Sequence, residues 1–205
     1  MIVIWTALAG LSGSLMFSYW LGLIARHNLK NVGDGNPGAL NLWKAAGFPL
    51  GLAGIALDFL KGYVPVLLLT QNGYVQGAAT IPVALAPLAG HAFSPFLKGK
   101  GGKAIAVTFG VWSALTAFEA SLAYAVIQAA LLAIIRFAVR GRAGGSTETD
   151  AFQVVFGLLL VGVYLYVRSF PKPLLWVWLG NFLLLAYTHR RSLLALYHGR
   201  FKHSA

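Results

Sequence analysis

From Ile2 to Ile24 the chain carries no charged side chain, and its first cation is Arg26. A helix needs about 20 predominantly apolar residues to cross the hydrocarbon core of a bilayer, and this stretch meets that requirement. Comparable stretches recur to the far end, near 49–70, 75–95, 104–118, 120–139, 152–168 and 173–188. Seven spans are therefore expected. The stretch with the weakest boundaries lies between Ala104 and Val139, where Glu119 is the only charge before Arg136 and no proline or glycine pair marks a turn. One helix of roughly 32 residues would rise about 48 Å, too long for a core of about 30 Å, so two short spans are expected there.

Composition agrees with lipid as the solvent. Apolar residues make up 58% and charged residues 10% of the chain, which is richer in the first and poorer in the second than an ordinary soluble domain. The spans and short connections leave no room for a second fold, so residues 1–205 read as a single all-α transmembrane domain. No basic segment precedes the first apolar stretch, which could be an uncleaved signal anchor, but the apolar stretches that follow favour a first membrane helix. With no cysteine, thiolate nucleophiles, disulfides and cysteine metal sites are excluded.

The formal charge is +11, and its placement excludes nucleic acid as the expected partner. Arg26, Lys30 and Lys44 fall in or beside the first connection and Lys98, Lys100 and Lys103 in the third. Arg136, Arg140 and Arg142 follow around the fifth span, and Arg190, Arg191, Arg200 and Lys202 lie in the tail. The alternate connections hold Arg168 and Lys172 but otherwise little more than the turn TQNGY and Glu119. Basic residues accumulate on the cytoplasmic side of bacterial membrane proteins. The N-terminus is thus expected outside and the C-terminus inside, which requires an odd number of spans. The tail, basic with interleaved Leu, Tyr and Phe, reads as an interfacial helix against anionic lipid.

Chemistry concentrates in those basic connections. Asn31 to Lys44 reads NVGDGNPGALNLWK. Glycine backbone admits positive φ and lets N–H groups approach an anion without a side chain in the way, so this loop is either a phosphate cradle or a flexible linker. The three asparagines, Asn31, Asn36 and Asn41, and the flanking lysines favour the cradle. A second loop, KGKGGK from Lys98, either fixes topology or adds cations for a second phosphate. It lacks the spacer and terminal Ser or Thr of a nucleotide-binding loop. His91 and His189 each close an apolar stretch at the basic end, where a histidine is a hydrogen-bonded structural group or a proton acceptor. They lack the company of further ligands, so no metal site is expected. Asp58 and Lys61, three apart within an apolar stretch, share one helical face where they can pair in the bundle interior, either as a structural ion pair or with a direct role in the site. Pro82 and Pro87 are expected to kink the third span or to shape a cavity in it, kinking being the plainer account.

Taken in order, GS at Gly13 and Ser14, NVGDGNPGALN from Asn31, LDFLKGYVP from Leu57, GH at Gly90 with Pro95 following, KGGK from Lys100 and YTHR from Tyr187 form a specific set. The chain resembles the bacterial acyl-phosphate:glycerol-3-phosphate acyltransferases of the PlsY type over nearly its full length. The resemblance implies a seven-helix inner-membrane enzyme. Such an enzyme moves an acyl group from acyl phosphate to the 1-hydroxyl of glycerol 3-phosphate, making lysophosphatidic acid for phospholipid synthesis without a cofactor.

By position it places Asn31, Gly33, Gly35, Asn36, Gly38 and Asn41 around the acceptor phosphate, with Lys100, Gly101 and Gly102 from the second loop. Asp34, Lys44, Lys103, His189 and Ser192 fall at the reacting groups; Ser14, Asp58, Lys61 and His91 are expected to be structural or supporting residues. Four positions depart from the family pattern: Asp34 stands for serine, Leu40 for threonine, Lys44 for arginine, and Ser192 for the asparagine three residues after the histidine. A carboxylate at 34 repels phosphate unless Lys44 or Lys103 neutralises it, and an Asp34–Lys44 pair is the expected compensation. A small-anion transporter and a silent lipid- or phosphate-binding relative are the alternative readings.

Overall fold

The structure, a computed structural model, describes residues 1–138 and 147–202, with side chains described to 137 and from 147 to 198. Arg140 and Arg142, counted above with the fifth span, and the side chains of Arg200 and Lys202 in the tail lie outside what is described. Every regular element among the described residues is helical: α1 Ile2–Ser14, α2 Phe17–Ile24, α3 Ala39–Gln71, α4 Thr80–Ala92, α5 Ile105–Thr116, α6 Glu119–Ala138, α7 Thr147–Val167 and α8 Lys172–Lys202. Single 3-10 turns lie at Leu29–Asn31, Gly77–Ala79 and Pro95–Leu97.

Five segments, Ile2–Ile24, Ala39–Gln71, Gly77–Leu97, Glu119–Phe137 and Thr147–Val167, are long and apolar enough to cross a membrane, and α5 is a shorter apolar helix. The outer surface carries Leu8, Leu52, Leu68, Val126, Val163 and Leu183, all exposed. Such a surface is stable against acyl chains rather than water. Polar groups go inward instead. Trp112 Nε1 donates to Asn181 Oδ1 at 3.0 Å and Asn181 Nδ2 to Thr108 Oγ1 at 3.1 Å, joining α5 to α8. Since lipid offers no hydrophobic drive between helices, close contact is made by small residues. Gly13 of α1 lies on the backbone of Pro87, Gly90 on the carbonyl of Gly10, and Gly110 of α5 on the carbonyl of Phe59 in α3, so that a Cβ at any of the three would overlap backbone.

The apolar stretches appear as helices, with four refinements. The first is broken at Leu15 and Met16, whose non-helical dihedrals, extended at Leu15, end α1 and start α2. The second helix begins ten residues before the apolar stretch and bends at Gly47, where φ is +82° and Pro49 follows. Between α5 and α6 the chain reverses at Ala117 and Phe118, both with positive φ. Thr116 Oγ1 steadies this turn by donating to Trp112 O and accepting from the Ala120 N–H. Two helices therefore replace one long one, as expected, although neither reversal residue is glycine. Finally, α8 runs unbroken to Lys202, so the basic tail continues the last helix and is not a separate interfacial one. In α4, Pro82 lies in the first turn, which has no i−4 acceptor to lose, whereas Pro87 stands inside the helix, which continues past it to Ala92, and leaves the Val83 carbonyl without its helical donor.

Candidate active site

The first glycine loop is a built structure. Gly33 and Gly35 take left-handed φ of +56° and +73°. Between them Asp34 Oδ1 accepts from the Asn36 N–H at 3.1 Å, closing an Asx turn. Asn41, in the first turn of α3, ties the loop together: its Nδ2 donates to Val32 O at 2.7 Å, to Asp34 Oδ1 at 2.9 Å and to Asn36 O at 2.9 Å. Its Oδ1 lies where a side chain on Gly33 would go, and the Asn36 amide where one on Gly38 would go. The loop is thus locked, and a plain linker is excluded. Asn41, expected to contact phosphate, spends its amide on the loop. Gly38 is the N-cap of α3 and no side chain caps that helix, so its first N–H groups form a ready anion site.

The second loop is held from below by α4. The Gly101 N–H donates to Ala92 O and the Gly102 N–H to His91 O, each at 3.1 Å. A Cβ on Gly101 would overlap the His91 carbonyl and one on Gly102 the His91 ring. These glycines are needed for close approach to α4. Their N–H groups are engaged there and are not free for the phosphate contacts expected of them. Lys100 is exposed, while Lys103 is directed across the gap between the loops.

Lys103 Nζ lies 2.7 Å from Asp34 Oδ2, with 20% and 25% of the two side chains exposed. Partial burial disfavours the Asp34 carboxylate, but Lys103, the Asn36 N–H and the Asn41 amide outweigh it and hold its pKa below the ordinary 3.8. Stability from this pairing is present above the ordinary carboxylate pKa and lost as pH falls through the lowered one. The counter-ion of Asp34 is therefore Lys103, which corrects the expected Asp34–Lys44 pair: Lys44 lies on the short arm of α3 before the Gly47 bend, exposed and in no ion pair among the described residues.

From α8, Thr188 Oγ1 donates to Lys103 O at 3.4 Å. His189 is buried, and its Nδ1 lies 2.8 Å from Leu185 O. A carbonyl only accepts, so Nδ1 carries the proton and Nε2 keeps a lone pair. Ser192 is half-buried one turn further on, and Asn31 is exposed at the rim of the first loop.

The supporting residues meet beneath the second loop. Lys61 pairs with Asp58 at 2.8 Å, as the spacing predicts, and donates to His91 Nδ1 at 2.7 Å and to Leu15 O at the helix break. Ser18 donates to Asp58 Oδ2, and Ser94 Oγ to Ser14 O at 2.7 Å. Ser18, Ser94 and Thr188 were not expected at the site. Each is a small hydroxyl whose partner lies far away in sequence; Thr188 stands within YTHR and Ser94 directly before Pro95, whereas Ser18 carries no such signal. No group of three or more His, Asp or Glu fit to hold a metal occurs among the described residues.

A family model described as glycerol-3-phosphate acyltransferase matches residues 3–199. Glycerol-3-phosphate acyltransferase 1 of Thermotoga maritima is 38% identical over 89% of this chain and 91% of its own length. The glycerol-3-phosphate acyltransferase of Maridesulfovibrio salexigens is 33% identical over 97% and 94%. Among solved structures, PlsY, an integral membrane glycerol 3-phosphate acyltransferase, superposes in its glycerol 3-phosphate form with a TM-score of 0.82 at 26% identity, covering 97% of this chain and 93% of that one. Its lysophosphatidic acid form gives 0.80 at 25% identity with the same coverage. With its two loops, its basic helix end and nearly its whole length matched, this multi-pass membrane chain belongs to the glycerol-3-phosphate acyltransferase family.

Proposed function

We propose that this chain transfers an acyl group from acyl phosphate to the 1-hydroxyl of glycerol 3-phosphate at the cytoplasmic face of a bacterial inner membrane, releasing phosphate and lysophosphatidic acid. The observation that carries this reading is the meeting of the two basic loops at Lys103 and Asp34, beside the uncapped start of α3 and the buried His189. Acyl phosphate is already activated, so the reaction asks chiefly for positioning and for positive charge on phosphate. The acceptor oxygen bonds to the acyl carbon while the bond from that carbon to the phosphate oxygen breaks. The leaving phosphate takes the electron pair and departs, while Lys103 and the α3 N–H groups hold the phosphate of glycerol 3-phosphate and supply positive charge to the shared site. His189 Nε2 or a substrate phosphate oxygen takes the hydroxyl proton. The acyl chain lies among lipid tails, which accounts for an enzyme almost wholly apolar on its outer surface.

The test is purified protein in vesicles with labelled glycerol 3-phosphate and acyl phosphate. Labelled lysophosphatidic acid is expected. Label crossing the bilayer without turnover identifies an anion transporter, and saturable binding without turnover a silent relative.

The same reading sets the topology, with N-terminus outside and seven spans. In its support, the first and third connections and Thr188 of α8 meet at Lys103, while Glu119 and Arg168 pair at 3.1 Å at the start of α6 and the end of α7. The chain has no cysteine, so single cysteines report cleanly. In intact cells Asn72→Cys is expected to react with an impermeant maleimide and Lys100→Cys only after permeabilisation. The reverse pattern inverts the topology.

A further inference from the structure

Asp58, Lys61 and His91 are buried in the bundle, and their side-chain hydrogen bonds and ion pairs run to one another, to Ser18 and to Leu15 O. Charges at membrane depth are costly, and well-packed apolar residues usually serve stability as well or better. Their connections suggest what they do. The Lys61 ammonium donates to Leu15 O where the first span breaks and to His91 Nδ1 on α4, and forms an ion pair with Asp58 Oδ1 on its own helix at 2.8 Å. By donating to Nδ1 it assigns the His91 proton to Nε2 and fixes the ring's rotation. The Nε2 edge lies against Gly102, with no room for a Cβ between them. The carbonyls of His91 and Ala92 take the N–H groups of Gly102 and Gly101. The next residue is Lys103. An unbroken set of contacts thus runs from the helix break through Lys61 and His91 to the backbone that aims Lys103.

We propose that Asp58, Lys61 and His91 are positioning residues, a buried charged strut that sets the depth of the Gly101–Lys103 backbone and so places the Lys103 ammonium for phosphate. This rests on the acyltransferase reading and assigns to these three a role in substrate affinity beyond holding the fold. Positional errors of an ångström at a charged contact are enough to weaken it.

The test is a double-mutant cycle in the full-length chain in detergent, read in two ways: KM for glycerol 3-phosphate, and the rise in Tm that glycerol 3-phosphate produces in the absence of donor. Lys61→Met is expected to raise KM about tenfold and to abolish most of the ligand-induced Tm rise. When Lys103 is already methionine, the same change is expected to alter KM less than about twofold, because the strut acts through that side chain. Lys61→Arg is expected to restore part of the affinity. Asn181→Leu, which removes the buried α5–α8 hydrogen bonds, is the control: it lowers Tm and leaves KM in place. Should Lys61→Met not fold, His91→Asn keeps an acceptor for Lys61 while removing the ring beneath Gly102, and is expected to raise KM alike. Equal effects of Lys61→Met with and without Lys103, or a fall in Tm with KM and the ligand-induced rise unmoved, overturn the proposal. A parent chain that is stabilised by glycerol 3-phosphate but does not turn over leaves the strut testable by Tm and rejects the acyltransferase reading instead.

Discussion

Lys103→Met is expected to lower kcat/KM for acyl transfer about a hundredfold while the protein still folds. A hydrogen bond to a charged partner contributes about 1.5–3 kcal/mol, and about 1.4 kcal/mol is a factor of ten, so losing the ammonium from a phosphate contact supplies most of that drop. The rest comes from Asp34, which is left without its counter-ion beside the incoming phosphate. Folding survives because methionine matches the lysine stem in length and Asp34 keeps the Asn36 N–H and the Asn41 amide. Lys103→Arg retains charge but carries a planar fork in place of a point charge, so an intermediate loss is expected. Adding Asp34→Asn to Lys103→Met is expected to recover part of the activity by removing the orphaned carboxylate. Steady-state kinetics on the four proteins decide the matter, and a Lys103→Met enzyme within threefold of the parent removes Lys103 from the site.

Asp34→Ser is expected to act in the opposite direction. The carboxylate engages Lys103 at 2.7 Å, so a phosphate must displace or share that partner. Removing one like charge near a partly exposed site is worth about 1 kcal/mol, or roughly a fivefold fall in KM. Serine can still close the turn by accepting from the Asn36 N–H, so the loop keeps its shape and kcat holds or rises. As a general base Asp34 is poorly matched. Its pKa is held below the ordinary carboxylate value, and both of its oxygens already have partners, whereas general bases work best with a pKa near the operating pH. A fall in kcat of about a hundredfold or more on Asp34→Ser, with binding intact, would assign it that role after all. Lys44→Arg added to Asp34→Ser tests the other departure. Since Lys44 is exposed and unpaired with Asp34, any gain reports a new phosphate contact and not the relief of an internal ion pair.

Much of the fold was legible because spanning a membrane is a local property. Whether twenty consecutive residues tolerate lipid depends on those residues, and the apolar stretches accordingly appear as helices. The Asp58–Lys61 pair was legible for the same reason, since three residues along one helix bring two side chains onto one face. The reversal at Ala117 and Phe118 was legible from length, since one helix there would overrun the hydrocarbon core, but not from its residues, because neither signals positive φ. Nor was the start of α3 at Ala39, whose first turn is held by Asn41 and by the loop it closes. The chemistry was legible as motifs but not as geometry. Which lysine neutralises Asp34 depends on how the third connection lies over the first, and that is set by Gly13 against Pro87 and Gly110 against Phe59, contacts between helices far apart in sequence. The same packing turned the Gly101 and Gly102 N–H groups toward α4 and brought Thr188 under Lys103. By itself the sequence determined a helical membrane chain with two basic glycine loops. Only the tertiary structure decided that those loops meet at Lys103 and Asp34, because an ion pair between residues 34 and 103 exists only once the helices beneath them have packed.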